Sequence, residues 1–346
     1  MSGPREILTV RSHLARRLGS YVRNVSLMLG TVLLGLYVVV GLAAWICYSG
    51  TLTFMNPDIS VLYGMSGPSP PTLMLSPFSL GPHMLGQTGG FGFGVAEGLV
   101  KGTPWDLMLF AGILVPTALL GLVIGVIAGG LGNAIDDVLM TVTDVVGSIP
   151  PFMIALVVYF EVMPNLPTAT VTGGTNQSFL ARPEAPLVFV LAMVLISWAP
   201  YARLARVRAK DIASKPFVEA AAAAGASKFR ILFRHILPNS ASPMFSQVPI
   251  TLANLIVIMT ILPYVGLLTT GGSKLILVSF MPSSNFPEWT WVLVNGMLGW
   301  SVNLGTNAWW GYVFPFLWIL AFALAVLLFC DGLEEFLSPR SGSATH

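Results

Sequence analysis

The side chains in this 346-residue chain most able to do chemistry are three closely spaced acids, Asp136, Asp137 and Asp144, and four histidines, His13, His83, His235 and His346. Histidine and carboxylate serve acid–base catalysis or metal binding only when they converge on one site. These histidines are scattered, and His235 lies in an apolar helical repeat where it reads as a packing residue. Cys47 and Cys330 stand alone at the ends of apolar runs. Their separation suits neither a metal site nor a disulfide framework. No Ser/His/Asp set, paired catalytic acids or metal cluster is evident. The G-x-x-x-x-G-K-S/T loop that cradles nucleotide phosphates is absent. The expectation is a chain with no catalytic residues, no metal and no bound cofactor. Asp136 and Asp137 instead suit a helix start, where carboxylates complement the positive end of the dipole. Asp144, about two turns further in, is costly in apolar surroundings without a partner or a polar cavity. Structural pairing with an arginine of the inner loop and a place in a transport path both fit it. Pro150 and Pro151 are expected to kink this helix.

The elements that must carry these residues are made for lipid. The chain is 55% hydrophobic and 9% charged, against about 25% charged in soluble domains. Apolar runs near bilayer length fall at 26–47, 107–130, 138–160, 186–207, 237–262 and 311–330. Arg5, Arg11, Arg16, Arg17 and Arg23 precede the first run, which is too long for a signal peptide and reads as a retained span. With the N-terminus inside, fourteen Lys and Arg lie in the cytoplasm, and only Lys101, Arg182 and Lys274 lie outside. Both termini are therefore expected in the cytoplasm, with residues 1–25 and 332–346 as tails. Loops 48–106, 161–185 and 263–310 fall outside. The last holds Trp289, Trp291, Trp300, Trp309 and Trp310, expected as interfacial anchors, with sugar stacking or ligand contact as the alternative. Gly121, Gly125 and Gly129 form a small-residue stripe for close helix packing. A net charge of +2 without basic runs interleaved with aromatics argues against nucleic acid.

One polar segment interrupts this pattern: "VEAAAAAGASKFRILFRHILPN", Val218 to Asn239. Pro216 suits the first turn of a short helix. Glu219 falls where the dipole favours an acid, five alanines follow, and Gly225 suits a helix stop. A second short helix is expected to gather Phe229, Leu232, Phe233 and Ile236 on one face, with Lys228, Arg230 and Arg234 elsewhere. Pro238 then opens the fifth span. A surface hairpin on anionic lipid would explain the charges. It would not explain alanine, a glycine joint and a return at proline together, which a docking element explains.

Glu219, Ala220, Ala221, Gly225, Leu237 and Pro238 match, position by position, the EAA loop of ABC-importer permeases. The forms "GAS" and "FRHILPN" resemble the dipeptide/oligopeptide/nickel branch. "IDDVLMTVTDVVGSIP" is similar to the same branch at Asp136, Met140, Asp144 and Pro150, and the likeness covers about 120–331. Asp137 and Thr141 stand where that branch usually has arginine.

The resemblance implies an all-α integral membrane protein of the type I ABC-importer permease kind. Six transmembrane helices would form the permease, its core at 107–331, with a cytoplasmic two-helix coupling loop at 208–236. It implies a second homologous permease, two ABC ATPase subunits holding ATP and Mg, and an extracytoplasmic substrate-binding protein. The alanine helix, from about Lys210 to Ala224, would seat in an ATPase cleft, braced by Glu219 through an arginine or a backbone N–H. Arg203, Arg206 and Arg208 would anchor the base of the fourth span at the membrane. Short peptides are the expected substrate, with oligosaccharides or nickel as alternatives. A secondary transporter coupled through Asp144 is the rival of another class. The expected place is a bacterial or archaeal plasma membrane.

Overall fold

The computed structural model describes residues 24–49, 85, 95–162, 185–269, 288–302 and 309–337. Every element among them is helical: α1 Val25–Ser49, α2 Val95–Leu131, α3 Asn133–Ser148, α4 Pro151–Val162, α5 Ala185–Ser197 and α6 Ala199–Ala213 lead to the polar segment. Within it lie α7 Pro216–Ala223, α8 Lys228–Ile231, a π-helical turn Leu232–Ile236 and α9 Leu237–Ser240. Then come α10 Met244–Thr269, α11 Trp289–Val302 and α12 Trp310–Leu337. Among the described residues, five helical stretches are long and apolar enough to cross a membrane, or six if α3 and α4, bent by 64° at their junction, form one broken span. Pro150 sits at that junction. Its fixed φ and missing N–H explain why the helix cannot run straight through.

Lipid-embedded helices gain little from burying apolar surface against each other, so close backbone approach and internal polar bonds must hold them. Both join α1 to α12. A Cβ on Gly30 would lie 2.2 Å from the Phe329 nitrogen, and one on Gly332 would lie 2.4 Å from the Leu27 nitrogen. The Tyr37 hydroxyl donates to the Trp318 carbonyl at 2.7 Å, and the Asn24 amide donates to the Gly332 carbonyl at 3.1 Å.

Two apolar cores run along the bundle. The larger gathers Tyr37, Phe110, Phe189, Met193, Leu252, Met259, Trp289 and Phe322. At its centre Trp289 stands edge-on to Trp318 and Phe322, with ring centres 6.3 and 5.1 Å apart. The smaller core lies under the polar segment and joins Val126, Tyr201, Ala205, Ala209 and Ile212 to Val218, Ile231, Leu232, Ile236 and Met244.

Several expectations need correction. Helix α2 begins at Val95, so residues 95–106 are helix and not loop, with Pro104 inside it. Residues 289–302, expected in a loop, form α11. Trp289 and Trp291 are buried in the bundle and are not interfacial anchors, whereas Trp309 is exposed. The long helix after the polar segment starts at Met244, because Ala241 to Pro243 separate it from α9. Residues 1–23, most of 48–94, 163–184, 270–287 and 338–346, with His13, His83, His346, Arg182, Lys274 and Arg340, lie outside the described residues.

Candidate functional site

The polar segment is built joint by joint from local chemistry. Lys215, in an extended conformation, precedes Pro216 at the start of α7. The helix ends two turns later in a Schellman arrangement. The Ala226 N–H donates to the Ala221 carbonyl at 3.1 Å, and the Gly225 N–H donates to Ala222 at 2.9 Å. Gly225 has φ +82° and open space where a Cβ would be, so backbone conformation alone selects glycine there. Ser227 caps α8, its hydroxyl accepting from the Arg230 N–H at 3.3 Å. The π-helical turn comes directly before Pro238, and the Leu237 N–H reaches back to the Leu232 carbonyl. That wider turn makes room for a ring that would clash in a regular helix.

The hairpin presents an apolar face outward. Phe229 is 66% exposed and Phe217 and Phe233 are each 48% exposed. Ala220, Ala222, Ala223 and Ala224 lie open beside them. Inward, Val218, Ile231, Leu232 and Ile236 enter the smaller core. The expected single face of Phe229, Leu232, Phe233 and Ile236 is therefore split. The short α8 passes into the π-helical turn, so the buried stripe runs through Ile231, Leu232 and Ile236. His235 is half-buried, its ring centre 6.4 Å from that of Phe217 across the hairpin. The Glu219 side chain is exposed and makes no hydrogen bond or ion pair among the described residues, so the expected bracing contact is absent there. Ala221 and Leu237 are half-buried and Pro238 is exposed. Ser214 and Lys215 break the helix between α6 and α7, so no single alanine helix runs from Lys210 to Ala224.

Helix α6 carries this hairpin and is gripped on two sides. On one, the glycine stripe of α2 meets it backbone to backbone. A Cβ on Gly121 would fall 2.3 Å from Tyr201 Cβ, one on Gly125 2.2 Å from the Ala202 carbonyl, and one on Gly129 2.5 Å from the Arg206 carbonyl. On the other side stands α3. Asp136, nearly buried, accepts from Arg206 Nε and Nη2 at 2.5 and 2.8 Å and from Lys210 Nζ at 2.6 Å. Asp144 pairs with Arg203, Nη2 to Oδ1 at 3.0 Å, with both side chains largely exposed. Arg208 turns to Asp211 on its own helix at 3.2 Å. Arg203 and Arg206 thus hold α3 and do not simply anchor the base of a span at the membrane.

Sequence reasoning offered Asp144 an arginine partner without naming which, and gave Asp136 none. Arg203, Arg206 and Lys210 share one face of α6 at helical spacing, the signal by which they could have been found. It also passed over Asp106, fully buried in α2, whose Oδ2 accepts the Trp289 N–H at 2.8 Å and so ties the first turn of α11 to α2. The misplaced start of α2 hid it. Among the described residues no group of three or more His, Cys, Asp or Glu could hold a metal.

Binding-protein-dependent transport system inner membrane component is the family whose pattern matches residues 121–342, a stretch that includes the glycine stripe, both acids and the whole hairpin. The chain belongs to that family and is a multi-pass membrane permease subunit. It is similar to a probable D,D-dipeptide transport system permease protein of Escherichia coli, 27% identical over 236 residues, which are 68% of this chain and 66% of that protein. It is similar to a dipeptide transport system permease protein of Haemophilus influenzae, 27% identical over 75% of each chain. Another of that description, from Alkalihalophilus pseudofirmus, is 23% identical over 93% of this chain and 88% of its own.

Proposed function

We propose that this chain forms half of the translocation pore of an ATP-driven importer of short peptides, driven through the α7–α8 hairpin. The observation that carries the reading is the exposed apolar face of Phe217, Phe229, Phe233 and the alanines, held on a glycine joint within the Glu-Ala-Ala…Gly…Leu-Pro frame. Such a face, bordered by Lys228, Arg230 and Arg234, suits a protein cleft better than bulk water. The partners are a second permease, two ATPase subunits that hold ATP and Mg, and an extracytoplasmic binding protein. The chain itself performs no catalysis and holds no cofactor. The hairpin and both termini lie on the cytoplasmic side of a bacterial or archaeal plasma membrane, in accord with the lysine and arginine distribution. Peptide cargo is inferred from the dipeptide permeases that the chain is similar to. Sugar stacking draws no support from Trp289 and Trp291, which are buried.

ATP-driven closure of the ATPase pair pushes α7, and the Gly225 joint and the smaller core pass that push to α6 and α10. Purification of the tagged chain in mild detergent, with mass spectrometry and an ATPase assay on the eluate, tests this. Recovery of a second permease and active ATPase subunits, lost in Gly225→Asp, is expected. A chain recovered alone under the mildest extraction would remove the ATPase partner and with it this reading.

A further inference from the structure

Helix α3 has almost no apolar core of its own. Asp136 and Thr143 are its only buried residues among those described, and Val138, Val142 and Val145 are exposed. Its junctions on both sides are bent. Gly132 and Asn133 at its start both have positive φ, 65° and 52°, the second unusual for a residue with a side chain. At its end the chain turns 64° into α4.

What holds α3 is charge. Asp136 and Asp144 lie two helical turns apart on one face and meet Arg206 with Lys210, and Arg203, on the facing side of α6. The later acid meets the earlier base, so the helices run antiparallel across two rungs. The Arg203 guanidinium lies over Gly147, where a Cβ would come within 2.7 Å of Nη2. The rungs are unequal: the Asp136 carboxylate is 7% exposed with three donors, whereas that of Asp144 is 68% exposed. Lys210 stands in the last turn of α6, directly before the break that leads into α7. A push on the hairpin therefore reaches the Asp136 rung first.

We propose that Asp136 is the positioning residue through which movement of the hairpin is passed to α3, which swings as a lever between its two bent junctions. This rests on the reading of the hairpin as the ATPase-docking element. Charge bonds to a buried carboxylate suit such a joint because they are directional and cannot slip along a helix as apolar contacts can. Asp136→Asn keeps the shape and removes the charge that holds two cations, whereas Asp136→Glu keeps the charge.

The test uses the full complex purified with its partner subunits and reconstituted in vesicles with ATP. It reads complex yield and labelled dipeptide moved per ATP hydrolysed. For Asp136→Asn the expected result is wild-type yield with transport per ATP down about tenfold, the scale of losing hydrogen bonds to a charged group. Asp136→Glu should recover most of it. An unchanged ratio in Asp136→Asn would overturn the proposal. So would a parallel fall of yield and uptake in both variants with the ratio intact, which is the mark of a purely structural role. If the wild-type chain brings down no ATPase, the docking reading fails first, and that outcome is visible before any variant is made.

Discussion

At the scale of single residues, positions that look alike in sequence face different demands. Gly225 is fixed by its backbone alone, since open space surrounds it at φ +82°. Gly225→Val forces a β-branched residue into the left-handed region, at about 1–2 kcal/mol. The expected outcome is normal membrane insertion with peptide uptake strongly reduced, while Gly225→Asn, which tolerates that region, keeps more of it. Uptake normalised to the amount of chain in the membrane checks this. Gly125 has an ordinary backbone but no room: its Cβ would sit 2.2 Å from the Ala202 carbonyl. Gly125→Leu should destabilise the bundle by about 1–3 kcal/mol or more through overpacking, read as a lower thermal midpoint in detergent. Gly35→Ala, which meets nothing within 4 Å, should leave that midpoint unchanged.

At the scale of elements, the hairpin was largely legible. Pro216, the alanine run and Gly225 follow local rules, and local rules set short helices. The facing of α8 was not legible, because the π-helical turn before Pro238 shifts the register of every side chain from Leu232 onward. The starts of α2 and α11 were missed for the same kind of reason. Proline and tryptophan in the sequence suggested a loop and an interface, yet long-range packing makes both segments helical, with Asp106 accepting from the first N–H of α11. The ion pairs of α3 were half legible: the acids stood out, but their partners lie 59 and 70 residues away. The split facing leads to a prediction at this scale. Phe229→Asp places a charge on the exposed face, so the chain should insert normally and lose its ATPase in the detergent pull-down. Leu232→Asp, in the smaller core, should instead lower the amount of folded chain.

At the scale of the whole molecule, composition alone required a membrane protein, and the run lengths required about six crossings. Among the described residues the structure reaches that number only by counting the bent pair α3–α4 as one crossing. In the mechanism proposed above, that break gives the permease a separate lever beside its coupling hairpin. The exposed Asp144–Arg203 pair also bears on the energy source. A gradient-driven carrier needs an acid that changes its proton or ion partner during transport, and here the acid is engaged by an arginine on the facing helix. The central claim is that ATP, and no ion gradient, drives uptake. The most direct measurement is labelled dipeptide uptake by the reconstituted complex, loaded with binding protein, in vesicles with ATP on the hairpin side and every ion gradient collapsed by ionophores. Sustained accumulation that stops when ATP is replaced by a non-hydrolysable analogue is the predicted result. Uptake that persists without hydrolysable ATP and follows an imposed proton or sodium gradient would contradict the account.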